Sequence, residues 1–183
     1  MTEFETLLNK ATEFHGETCP GIVMGTRMTI AGLRELGMDP HTKTQNLVVY
    51  AEVDRCAVDA IQAITGVTLG RRSLKLMNYG IFAATFIDTG SGKAVRVSFL
   101  PPWPDQIQGM MEFGKTVRNA PEEEIFRIQE VSVTIPPEEK PGFPTRKNRC
   151  VRCGEQIMDG KEEILDQAPV CKKCAHGPYY GTV

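Results

Sequence analysis

The chain has 183 residues, 41% hydrophobic and 24% charged, with a formal net charge of −2. These values exclude a disordered, collagen-like or strongly charged class, and the near-zero charge leaves no electrostatic footprint for nucleic acid. No apolar stretch approaches the ~20 residues that span a bilayer, and the acidic start Met1-Thr2-Glu3-Phe4-Glu5 lacks the pattern of a secretory signal. The expectation is a cytoplasmic protein without membrane or nucleic-acid partners, its thiols reduced unless metal-bound.

In chain order, Phe4, Leu7, Leu8, Ala11 and Phe14 follow helical spacing and predict an amphipathic first helix. Pro20 suits the first position of a second helix that carries Ile22, Val23, Met28 and Leu33 and ends at Gly37. Residues 47–53 are β-rich and read as a strand; residues 55–64 read as a short helix stopped by Gly66. Residues 81–87 and 94–100 read as strands joined by a Thr89-Gly90-Ser91-Gly92 turn. Helices are expected over 104–113 and 121–126, and a last strand over 130–135. Helices first and a largely antiparallel sheet after them give an α+β class, with helices packed on the sheet.

Pro136, Pro137, Pro141 and Pro144 mark a linker over 136–149, a composition poor in helix or ladder hydrogen bonds. It separates a core domain, 1–135, from a module, 150–183, too short to bury a core without help. That help is legible in the six cysteines. Four of them form Cys150-x2-Cys153 and Cys171-x2-Cys174, 17 residues apart, the spacing of a closed structural Zn²⁺ site in a zinc-ribbon or treble-clef-like module. Two disulfides or an iron–sulfur centre are the alternatives; a reducing compartment disfavours the first and the spacing the second. His176, just beyond, is a bystander on this reading.

Cys19 falls at the start of the second helix and Cys56 in the first turn of the third. A helix N-terminus stabilises a thiolate, so both read as reactive or ligating groups with lowered pKa. His15, four residues before Cys19, is near enough to share a metal. Two thiolates and one imidazole leave a fourth position open, as in a catalytic or sensing site. The bland alternative is two buried cysteines and a helix-ending histidine, since nothing in the spacing brings Cys56 to Cys19.

The segment His15-Gly16-Glu17-Thr18-Cys19-Pro20-Gly21 resembles the His-Gly-x-x-Cys-Pro-Gly signature of the family of formylmethanofuran dehydrogenase E-subunits. Residues 53–62, around Cys56, resemble its second cysteine motif, and residues 65–80 its glycine-bearing loop. A four-cysteine zinc module also occurs in many members. The resemblance implies an α+β core whose cleft, lined by His15, Cys19 and Cys56, holds a divalent metal, expected to be Zn²⁺, and it implies a homodimer. The chain departs from the family at Glu17, where many relatives have a second histidine, and at Arg71 and Arg72, where relatives often have lysine and glycine.

The leading functional expectation is a metal-binding protein of this type, with a structural zinc and a core metal, supporting or sensing molybdenum or tungsten enzyme chemistry. One alternative is a metal-dependent enzyme using the open position with Glu17 as general base; another is a zinc-module adaptor with inert core cysteines. Arg71, Arg72 and Lys75 either hold an anion over the cleft or form a solvated face. Asp54 reads as a helix N-cap and Asp59 as a dipole-favoured carboxylate, with ligand orientation the alternative for both. Met24, Met28, Met77, Met110 and Met111 read as core, Trp103 as a cleft or interface residue, and His41 as exposed.

Overall fold

Thr2 opens α1 (Glu3–His15) with a capping box. Its hydroxyl accepts the Glu5 N–H at 3.2 Å while its own N–H donates to the Glu5 carboxylate at 3.0 Å. Gly16 ends α1 at φ 101°, a left-handed conformation that suits glycine. Cys19 caps α2 (Pro20–Leu36), and Pro20 occupies the first turn, where a missing N–H costs nothing. There follow β1 (Leu47–Ala51), α3 (Ala57–Thr65), β2 (Leu74–Leu76), β3 (Ala83–Asp88) and β4 (Ala94–Phe99). After these come α4 (Ile107–Asn119), the single turn α5 (Glu122–Ile125) and β5 (Phe126–Val131). This computed structural model describes residues 1–42, 46–101 and 107–181, with only the backbone at 107, 108, 110 and 111.

The chain divides into two compact units, Met1–Val133 and Thr134–Val183. In the first, five strands run in the order β2-β1-β3-β4-β5. β1 and β2 are parallel, and the other neighbours are antiparallel. The α+β class with a largely antiparallel sheet is therefore what forms. One sheet face, with Leu47, Val49, Ala51, Phe86, Val95 and Val97, packs with Leu7, Ile22 and Met28 from the helices in a single core. Alternation along the strands sends Glu52 and Arg96 to the opposite face. There Arg96 donates to both Glu52 carboxylate oxygens, at 2.7 and 2.8 Å.

Several boundaries differ from the sequence expectation. The last strand is Phe126–Val131 rather than 130–135, because the β4 ladder that it joins runs only from Phe99, opposite Phe126, to Ala94, opposite Val131. The expected helix over 121–126 shrinks to α5, and α4 continues past Phe113 to Asn119. β2 has no counterpart in the sequence expectation. Of the methionines expected in the core, Met24 and Met28 are buried, but Met77 is 41% exposed. The Met110 and Met111 side chains, and Trp103, lie outside the described residues. Among the described residues no helix is long and apolar enough to cross a membrane.

The second unit contains a 3-10 turn (Pro137–Glu139) and two short hairpins. β6 (Lys147–Arg149) pairs with β7 (Gln156–Met158), β8 (Glu163–Leu165) with β9 (Ala168–Val170), and α6 (Lys172–His176) follows. Its buried apolar core is Cys150, Ile157 and Val170. So small a core fits a module that depends on a metal to stay folded.

Candidate metal centres

In the second unit the first cysteine pair lies on the turn between β6 and β7. The Gly154 N–H donates to the Cys150 carbonyl at 2.9 Å, and Gly154 takes φ 75° to make that turn. The second pair lies at the start of α6, where Cys171 is the N-cap and its sulfur accepts the Cys174 N–H. The Arg152 guanidinium donates to the Cys174 carbonyl at 2.7 Å, tying the two halves together. The four sulfurs lie within 4.8 Å of one another, and Cys153 and Cys171 are 3.8 Å apart. A tetrahedral Zn²⁺ with bonds of about 2.3 Å sets its sulfurs about 3.8 Å apart. The Cys171 and Cys153 backbone N–H groups hold the Cys150 thiol down at about 6, while the Cys171 and Cys153 sulfurs push Cys174 up to about 12. A cation bound by all four sulfurs would displace the thiol protons that remain. His176 is no part of the cluster; its Nε2 lies 2.6 Å from the Glu163 carboxylate.

In the first unit His15, Cys19 and Cys56 come together, their ligand atoms all within 4.8 Å of one another. They arrive from the end of α1, the N-cap of α2 and the N-cap of α3. His15 Nε2 lies 3.9 Å from Cys19 Sγ, against about 3.6 Å for two ligands of one tetrahedral zinc. The Cys19 sulfur accepts the Ile22 N–H at 3.4 Å. Cys56 makes no such capping bond, and burial pushes its thiol above the usual 9.0, helped by the hydrogen bond to Cys19. The lowering expected from the α3 N-terminus is thus outweighed at Cys56 by desolvation.

Asp59, one turn into α3, lies with its Oδ2 2.7 Å from His15 Nδ1. With the proton on Nδ1 donated to this carboxylate, Nε2 presents its lone pair toward the sulfurs. Asp54 is not a helix cap, since α3 starts after Cys56; its carboxylate instead accepts from the Asn78 side chain at 3.2 Å.

Two glycines explain how α2 and α3 approach closely enough to join the cysteines. A Cβ on Gly21 would lie 2.9 Å from Cys56 Cβ and 3.3 Å from its sulfur, and one on Gly25 would lie 2.6 Å from Ala57 Cα. The glycine of Cys19-Pro20-Gly21 is thus the surface against which Cys56 sits.

Two cavities flank the cluster. One, of about 440 Å³, is lined by His15, Asp54, Arg55, Cys56 and Asp59 with a leucine wall. The other, of about 450 Å³, is lined by Cys19, Pro20, Val53, Arg55, Cys56 and Phe82 among others. Glu17 is exposed and belongs neither to the three-ligand cluster nor to either lining. Arg71 is exposed, and neither it nor Arg72 is among the described residues lining these two cavities. His41 is exposed, 3.5 Å from the Glu3 carboxylate.

Residues 143–180 match the prokaryotic dksA/traR C4-type zinc finger, so the C-terminal unit is a zinc finger and its four cysteines support a structural zinc. A probable S-adenosyl-L-methionine-binding protein of Archaeoglobus fulgidus is 28% identical over 213 aligned positions that take in all of this chain. The chain covers 56% of that relative, about half its length. The crystal structure of a tungsten formylmethanofuran dehydrogenase FmdE-like protein from Syntrophus aciditrophicus shares the fold, with a TM-score of 0.62 at 22% identity, covering 97% of this chain and 94% of that one. Residues 14–139, well over half the chain, match the family described as FmdE, molybdenum formylmethanofuran dehydrogenase operon. The chain belongs to the FmdE family, its α+β core followed by a C4-type zinc finger.

Proposed function

We propose that this metal-binding protein carries a second, functional metal, a divalent ion and most simply Zn²⁺, on His15, Cys19 and Cys56. The observation that carries this reading is the convergence of one imidazole and two thiols from three different helix ends, with Asp59 behind the imidazole. Paired thiolates with a carboxylate-backed histidine suit zinc. When bound, such an ion supplies an open Lewis-acid position. Asp59 fixes the His15 tautomer, Gly21 lets Cys56 reach Cys19, and the flanking cavities give access. The domain assignment is an FmdE core over 1–135, a linker over 136–149 and a zinc module over 150–183. The protein acts as a homodimer that supports or senses molybdenum or tungsten enzyme chemistry, a role supported by the operon association in the family's description.

Metal content tests the site. Protein purified with its native metal and assayed by elemental analysis is expected to hold two metals per chain, and a Cys19→Ser, Cys56→Ser variant one. One metal in both would remove the core site.

A further inference from the structure

The cavity beside the two core sulfurs has a chemistry that selects its occupant, and the inference rests on the core-metal reading above. Its lining combines Cys19 and Cys56 with the apolar Pro20, Val53 and Phe82, and among the described lining residues Arg55 is the only charged side chain. The cavity on the other side of the cluster also has Arg55, but adds the carboxylates of Asp54 and Asp59. The two spaces are nearly equal in size, and both fall in the range of small-molecule sites. Their electrostatics differ: among the described lining residues the first offers an anion Arg55 and no carboxylate, while the second adds two carboxylates to Arg55.

We infer that the cavity bounded by Cys19, Val53, Arg55 and Phe82 binds a small organic thiol that carries a carboxylate, with the carboxylate on Arg55 and the thiol sulfur toward the open metal position. The apolar walls take the carbon chain. A planar guanidinium recognises a carboxylate through paired hydrogen bonds, and a centre already held by two thiolates favours a soft sulfur donor over oxygen. Binding exchanges the proton of the ligand thiol for the metal and involves no electron transfer.

The test uses the full chain loaded with Co²⁺, whose sulfur-to-metal charge-transfer absorption reports added thiolate. The Cys19→Ser, Cys56→Ser variant supplies the zinc-module background. 3-Mercaptopropionate is expected to raise the core absorption and to bind about tenfold more tightly than uncharged 2-mercaptoethanol, with Arg55→Ala erasing that difference. Propionate is expected to leave the thiolate absorption unchanged. A parent spectrum equal to the variant background would overturn the core metal and this inference with it. A core spectrum that no thiol changes, or a thiol preference that survives Arg55→Ala, would overturn the inference and leave the core metal standing.

Discussion

Asp59 Oδ2 lies 2.7 Å from His15 Nδ1, which turns the opposite nitrogen of the ring toward Cys19. The two residues are 44 positions apart in sequence, and this pair locks the one nitrogen ligand of the candidate core site. Asp59→Ala is expected to weaken core metal binding by about 10–100-fold, with Asp59→Asn milder because its amide oxygen still accepts from Nδ1. Competition titration with a chromophoric chelator measures both, and the zinc-module affinity should stay constant.

Core binding should depend on pH in a stated direction. Burial holds the Cys56 thiol above its usual 9.0, so near neutral pH it is protonated and must lose that proton to ligate. Raising the pH removes the competing proton, so affinity rises by about tenfold per pH unit from this thiol alone until the pH passes its pKa. Isothermal titrations in buffers of different ionisation enthalpy report the released proton, and Cys56→Ser should remove its contribution.

Gly21→Ala places a methyl group 2.9 Å from Cys56 Cβ. Relieving that contact parts the N-termini of α2 and α3, so the substitution should reduce core metal binding while costing about 1–3 kcal/mol of stability. Gly25→Ala, aimed at the Ala57 backbone, should cost more in thermal denaturation because a backbone atom cannot swing aside.

The Glu52–Arg96 pair is a second point of sensitivity. It is bidentate, with Glu52 buried, and the carboxylate raises the Arg96 pKa, opposed by burial. Glu52→Ala leaves the guanidinium on the sheet without this partner and is expected to destabilise the first unit by about 3 kcal/mol. The midpoint of chemical denaturation checks this, with core metal stoichiometry unchanged.

Much of the architecture is legible in the sequence because local signals and tertiary packing agree. Pro20 with Gly37 and the turn at residues 89–92 each mark an end that the structure keeps. β2 escapes because three residues carry little period, and its parallel partner β1 is set by tertiary packing. The last strand shifts because 131–135 is rich in β-branched residues, yet the pairing partner ends at Ala94. Cys19 is legible as a helix cap from Pro20, and the zinc cysteines from their spacing. The approach of Cys56 to Cys19 is not, because it depends on helix packing at Gly21 and Gly25; the Cys19-Pro20-Gly21 triplet is the signal available. Asp59 is legible as a candidate orienting carboxylate, but its partner is set by how α1 crosses α3.

The proposed function turns on a metal among His15, Cys19 and Cys56. The measurement that addresses it without an intermediary is an anomalous-difference map from crystals of metal-loaded protein, recorded on both sides of the zinc absorption edge. Two peaks per chain are expected, one among Cys150, Cys153, Cys171 and Cys174 and one bounded by His15, Cys19 and Cys56. A single peak at the four-cysteine site, with the core thiols well ordered and empty, would contradict the core site.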